Sequence, residues 1–307
     1  MRKVIGIGES VLDILFRNEQ PSAAEHGGSV FNSCVSMARL GIPVTFISEL
    51  GADHVGRHAM QFMRENGIST DYIDVYPDHP SAINLAFLNE QSDAEYSFYK
   101  SLPEKRLNID LPKVEKDDIV MIASYYSITP ALRPKHVELL EAAKKAGAIV
   151  YYDPNCRIAH KGESLKLSSN ILENLEYASI VRGSMEDFQV MFDMNGADEV
   201  YQNKVEFYCP NFIYTQGEGK IELRTKYLRK AYDTEKISPV STVGAGDTFS
   251  AGLIYGLIKE GIMLDDLDTL DEQTWDRIIG YGRTMATEVC MSYQNSISRE
   301  FAASYKL

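Results

Sequence analysis

Ser241-Thr242-Val243-Gly244-Ala245-Gly246-Asp247-Thr248-Phe249-Ser250-Ala251-Gly252 is the stretch from which the rest of the chain is read. Two glycines separated by one alanine precede an aspartate. An apolar run from Phe249 to Ile258 follows and reads as a helix ending at Gly261. Such a turn leaves backbone N–H groups uncovered at a helix N-terminus, whose partial positive charge favours an anion. Asp247 stands where a carboxylate could take a proton from a hydroxyl beside that anion. Together these are the minimum for moving a phosphoryl group onto an alcohol. The plainer alternative is that Asp is a favoured N-cap and that Gly-rich turns before helices are ordinary scaffolding.

Working outward, Val4 to Gly8 reads as a short buried strand. Gly6 and Gly8 suggest a dinucleotide fingerprint, but Val11 occupies the place of its third glycine. Leu12 to His26 shows short β-like patches. Gly27-Gly28-Ser29-Val30-Phe31-Asn32 then leads into a helix closed by Gly41. A strand at Val44–Leu50 follows, and Asp53 can cap a helix that stops at Gly67. Ala82–Leu88 and Tyr96–Tyr99 predict a hairpin with a polar turn through Gln91-Ser92-Asp93.

After about Leu107 strands and helices alternate: strands at Ile119–Ser124, Ile149–Asp153, Ser179–Arg182 and Phe212–Thr215, helices at Pro134–Ala146, through Ile171 and Leu172, and at Met185–Phe192. Apolar strands alternating with helices imply a mostly parallel, doubly wound sheet. A last helix around Trp275, Ile278, Gly282, Met285 and Val289 carries a core-facing stripe, and Asp265–Asp268 reads as a solvated loop before it. The segments near 10–30 and 79–108 look like β excursions that pair into one small sheet covering a cleft.

The 307 residues are 44% apolar and 24% charged, an ordinary globular balance. The net charge of −13 comes without a basic block, which argues against nucleic acid or an anionic membrane as partner. No apolar run is long enough to span a bilayer, and the acid at Glu9 comes too early for a secretory leader. Cys34, Cys156, Cys209 and Cys290 form no C-x-x-C pair and read as free thiols in a reducing cytoplasm. His54 and His58 lack an H-E-x-x-H context, so no structural metal is expected.

These residues resemble the PfkB (ribokinase-like) family of carbohydrate kinases. Gly244-Ala245-Gly246-Asp247 looks like the family's C-terminal signature, and Gly27-Gly28 with Asn32 looks like its N-terminal one. The likeness covers essentially the whole chain. Gly8-Glu9 with Asp13, and Asp153-Pro154-Asn155-Cys156-Arg157, are more similar to the fructokinase and ketodeoxygluconate kinase branch than to the ribokinase or adenosine kinase branches.

The resemblance implies a ribokinase-like three-layer α/β/α core over 1–9, 31–78 and 109–307, with a small β lid from 10–30 and 79–108. It implies ATP and Mg²⁺, and transfer of the γ-phosphate to a hydroxyl of a small carbohydrate. Asp247 would be the catalytic base, the N–H groups of Gly244, Ala245 and Gly246 the anion hole, and Arg157 a further contact to the moving phosphate. Asp13, Gly27, Gly28, Asn32 and Asn155 would bind the sugar. Thr215, Gly217 and Gly219 would form a nucleotide-phosphate loop, and Glu186 would hold Mg²⁺ through water. Plainer roles stay open: a lid-strand surface residue for Asp13, a helix N-cap for Asn32, a Gly-rich turn at Thr215–Gly219, first-turn helix decoration for Glu186 and an exposed ion pair for Arg157. Because an open lid sheet has exposed edges, a homodimer through the lid is expected.

Two positions depart from the family pattern, and a third bears on the branch. Gly183 replaces the Asn of its Asn-x-x-Glu motif. Ser241 replaces an Asp that helps hold a monovalent cation, which weighs against K⁺ activation. Lys100 stands where ketodeoxygluconate kinases tend to carry an Arg. A Lys attracts a carboxylate but lacks the bidentate fork, which favours fructose or a related ketohexose over a sugar acid. The competing readings are a ketodeoxygluconate kinase and a sugar- or nucleotide-binding protein that has lost turnover.

Overall fold

β1 (Val4–Ile7) is buried along its whole length, as an apolar strand covered on both faces must be. It belongs to a computed structural model that describes residues 2–88, 94–156, 162 and 166–307. The chain divides into two compact units, Met1–Pro112, Ile237–Gly256 and Ile278–Leu307 forming the first, and Lys113–Lys236 with Leu257–Arg277 the second.

In the first unit β2 (Val11–Arg17) and β3 (Gln20–Gly27) are followed by α1 (Ser29–Arg39), β4 (Val44–Gly51), α2 (His54–Glu65) and β5 (Ile73–Tyr76). β1, β4 and β5 run parallel, with β4 in the middle. Asp53 caps α2 as expected, accepting the Gly56 amide at 2.8 Å. β6 (Ile83–Leu88) and β7 (Ala94–Tyr99) form the predicted antiparallel pair, whose turn at 91–93 lies outside the described residues.

β6 also pairs in parallel with β2, giving a four-stranded sheet in the order β3-β2-β6-β7. The two β excursions therefore share one sheet. One face buries Leu15 and Ala86 with Ala23 and Tyr96 packed on them. The opposite face carries Leu12, Ile14, Phe16, Leu85 and Phe87, all only half-buried, with the Phe16 and Phe87 rings stacked at 4.9 Å.

The second unit contains β8 (Ile119–Ala123), α3 (Arg133–Ala146), β9 (Ile149–Asp153), α4 (Ser168–Tyr177), β10 (Ile180–Ser184), α5 (Met185–Phe192), α6 (Ala197–Val200) and β11 (Phe212–Thr215). β8, β9, β10 and β11 are parallel neighbours in that order. Two further strands, β12 (Lys220–Arg224) and β13 (Arg229–Asp233), extend the sheet antiparallel. Their charged, five-residue sequences hid them from the pattern reading.

The remaining helices are α7 (Ala245–Lys259), α8 (Glu272–Cys290) and α9 (Arg299–Ala303). α7 and α8 meet backbone to backbone. A Cβ on Gly252 would stand 2.6 Å from the Gly282 Cα, and one on Gly256 would stand 3.0 Å from the Ile278 Cα. Asp265–Asp268 is not the expected solvated loop. It forms a 3₁₀ turn at Leu264–Thr269, with Leu267 buried and Asp266 accepting the Met263 amide at 2.9 Å. Among the described residues no helix is long and apolar enough to cross a membrane.

Candidate active site

The signature stretch builds a tight turn at the head of α7. The Ser241 hydroxyl accepts the Val243 amide (3.2 Å), the Ala245 amide reaches the Thr242 carbonyl (3.2 Å), and the Thr248 amide returns to the Gly244 carbonyl (2.9 Å). Gly244 sits at φ +81°, a region that favours glycine, and a Cβ there would stand 2.5 Å from the Asn295 carbonyl oxygen. Of the three amides expected to cradle an anion, that of Ala245 is thus engaged within the turn. Those of Gly244 and Gly246 have no hydrogen-bond partner among the described residues.

Asp247 lies in the first turn of α7 rather than at its cap. It is 9% exposed. Its Oδ1 accepts a hydrogen bond from the Ser29 hydroxyl at 2.9 Å, and its Oδ2 accepts one from the Asn32 amide at 2.8 Å. The Ser33 hydroxyl donates to the Asp247 carbonyl at 2.8 Å. The first turn of α1 therefore grips the first turn of α7.

Asn32 is not the N-cap that its sequence leaves open. Gly28 caps α1 at φ +120°, where a side chain would collide with the Glu9 carbonyl. Ser29 and Ser33 escaped the sequence reading, although Ser29 directly follows the Gly27-Gly28 pair. Asp13 is buried on β2 and accepts the Asn84 amide at 2.9 Å, so it is not the exposed strand residue that was left open. A side chain on Gly27 would run into the Asp13 carboxylate. Asp13, Gly27, Gly28, Asn32, Gly244 and Asp247 all belong to the first unit.

In the second unit, Asp153 is fully buried at the end of β9 and accepts Arg182 Nη1 at 2.9 Å. Arg182 Nη2 donates to the Thr215 hydroxyl at 2.8 Å. Asp187 accepts the Ser184 hydroxyl (2.7 Å) and amide (2.5 Å) and the Cys156 amide (2.6 Å), tying α5 to the chain after β9. Burial, and next the charge of Asp153, push the Asp187 carboxyl up to about 6.

Asn155, just beyond β9, adopts φ +39°, a conformation that Asn tolerates. Arg157 lies outside the described residues. Thr215–Gly219 forms the turn between antiparallel β11 and β12, closed by the Gly219 amide on the Gln216 carbonyl at 2.9 Å. Glu186 is exposed in the first turn of α5. At Gly183 there is no room for the family's Asn, because a Cβ would stand 2.6 Å from the Phe188 ring.

The family model for pfkB family carbohydrate kinases matches residues 16–298. A probable fructokinase-6, chloroplastic, of Arabidopsis thaliana is 28% identical over 286 residues, 88% of this chain and 73% of the relative. Fructokinase-1 of Oryza sativa subsp. japonica is 27% identical, covering 88% and 87%. The fructokinase of Vibrio cholerae O395 solved with fructose, ADP and calcium ion superposes with a TM-score of 0.85 at 19% identity, covering 100% of this chain and 99% of that one. The aminoimidazole riboside kinase of Salmonella enterica, solved with aminoimidazole riboside and an ATP analogue, gives 0.83 at 20% identity, covering 99% of each. At these identities the structural likeness establishes the fold, which is the ribokinase-like α/β arrangement.

Proposed function

The chain belongs to the pfkB family of carbohydrate kinases, and from that premise we propose that it transfers the γ-phosphate of ATP to a hydroxyl of fructose or a related ketohexose. The observation that carries this reading is the Asp247 carboxylate, oriented by Ser29 and Asn32 in the first turn of α7. In the proposed reaction Asp247 takes the proton of the sugar hydroxyl as its oxygen bonds to the γ-phosphorus, and ADP leaves with the electron pair of the broken P–O bond. The Gly244 and Gly246 amides supply donors to the charge that builds on the moving phosphoryl group. Relatives named as fructokinases in Arabidopsis and rice support fructose as acceptor.

The residues present fit a nucleotide-borne Mg²⁺ better than a resident metal. Among the described residues no three His, Cys, Asp or Glu side chains cluster as a metal site. Mg²⁺ commonly keeps several waters and is held by one or two carboxylates plus substrate phosphates, which suits the exposed Glu186. Bound there it would neutralise phosphate charge. K⁺ is not proposed, since position 241 offers a neutral hydroxyl, which accepts the Val243 amide, where a cation would be drawn to a carboxylate.

A sugar-acid acceptor is disfavoured because Lys100 Nζ already pairs with Glu9 at 2.6 Å, which removes the net positive charge a substrate carboxylate would seek. A homodimer is part of the proposal. The half-buried face of Leu12, Ile14, Phe16, Leu85 and Phe87 is apolar and suits the same face of a second copy. A monomer by light scattering at micromolar concentration overturns that part. Four free cysteines support a reducing compartment such as the cytoplasm.

The deciding experiment is ADP release from ATP–Mg²⁺ across fructose, tagatose, ribose and ketodeoxygluconate. Turnover confined to a ketohexose is expected. Preference for ketodeoxygluconate would replace the acceptor, and no turnover with sugar still bound by calorimetry would make the chain a binding protein.

A further inference from the structure

Ser29 gives the base an alcohol that belongs to the chain itself. Its Oγ donates to Asp247 Oδ1 at 2.9 Å, inside the range at which a general base takes a proton. An aliphatic hydroxyl within hydrogen-bond reach of a base is the pairing by which an activated nucleophile is recognised. Ser29 is half-buried, whereas Ser33 and Ser36, one and two turns further along α1, are fully buried. Those two spend their hydroxyls on carbonyl oxygens, Ser33 on those of Ser29 and Asp247 and Ser36 on that of Asn32. Of the three serines, Ser29 alone addresses the carboxylate.

The same position suits a phosphorylated product. Ser29 is the first residue of the 11-residue α1, whose N-cap glycine brings no side chain to that end and whose first turn holds no acid. Asp247 stands in the first turn of α7, so two helix N-termini meet at this hydroxyl. A phosphate gains there from both dipoles and from uncapped N–H groups. We propose that, when no sugar is bound, the chain transfers the γ-phosphate of ATP to Ser29 and so silences itself. The inference rests on the kinase reading. In the step the Ser29 Oγ–H proton passes to Asp247 while Oγ bonds to the γ-phosphorus. The bond from that phosphorus to the β–γ bridging oxygen breaks, and ADP leaves with its electron pair. The new phosphate covers the carboxylate that must take the proton of a sugar hydroxyl, and turnover stops.

The test incubates phosphatase-treated protein with ATP–Mg²⁺ in the absence of sugar and follows intact mass and the phosphopeptide map. One phosphate per chain is expected on the peptide that carries Ser29, with a loss of later sugar turnover in the same proportion. A saturating concentration of the sugar that the chain phosphorylates should suppress both effects. Ser29→Ala should take up no phosphate and keep its starting rate through the same incubation. Asp247→Asn, which retains Ser29, should label more slowly by about 10²-fold or more.

Sugar turnover by the parent with no phosphate on Ser29 overturns the proposal and leaves the kinase reading standing. A label that survives Ser29→Ala, or that forms equally fast on Asp247→Asn, overturns it too. Absence of both sugar turnover and label removes the kinase reading and the proposal with it. Label on Ser29 in a chain that phosphorylates no sugar of the panel upholds the proposal and removes the sugar as acceptor.

Discussion

Asn32 donates its side-chain amide to Oδ2 of Asp247 across 2.8 Å, although 215 positions separate the two residues. The bond joins the two glycine-flanked motifs into one object. It also fixes what a one-atom-pair change must do. Asn32→Asp places a second carboxylate against the base, and two carboxylates at that distance do not both ionise easily. The acid limb of kcat/KM against pH is expected to move up by about one unit or more, with lower activity at neutral pH. Superimposable parent and variant profiles would refute a base at Asp247 in contact with Asn32.

Asp247→Asn keeps the shape and an acceptor for Ser29 but removes the proton acceptor. Turnover should fall by about 10²–10⁴-fold, with sugar and ATP binding retained in calorimetry. Parental ADP release would end the assignment.

Asp187 predicts a pH dependence of stability. Its folded pKa of about 6 stands above the ordinary 3.8, so between those values the folded protein holds this proton more tightly than the unfolded chain. The group's contribution is most favourable at low pH and is lost as pH rises through about 6. Urea unfolding of the parent and Asp187→Asn should show their stability difference moving against the parent as pH rises from 4 to 6. The slope is at most about 1.4 kcal/mol per pH unit. A difference independent of pH would contradict the environment described.

Gly183→Asn restores the family's residue but not its room. With the Phe188 ring 2.6 Å from any Cβ, the substitution should destabilise by about 1–3 kcal/mol and bring no gain in turnover. Equal urea midpoints would show that Phe188 yields freely.

Much of the fold was legible because its signals are local. Asp53 before an apolar-periodic run announces the start of α2, and Ile149–Asp153 announces a buried strand by composition alone. What lay hidden depends on partners far along the chain. Asp53 also holds the Ser81 hydroxyl and amide, both at 2.8 Å, which no window around residue 53 contains. Ser29 and Ser33 look like ordinary helix-start residues until Asp247 arrives beside them. β12 and β13 were missed for a different reason: each is only five residues long, and their lysines and arginines mask the buried Ile221 and Leu223 that β12 sends into the core.

The direct contact of Gly252 with Gly282 has a consequence for how this enzyme tolerates change. Gly252 lies five residues beyond Asp247 on the same helix, so anything that pries α7 from α8 also tilts the carboxylate. A saturation-mutagenesis map scored by growth on the unphosphorylated sugar, which the cell can use only after this kinase acts, would therefore darken at Gly282, a position with no polar side chain and no role in the chemistry. Its intolerance would record the width of a gap.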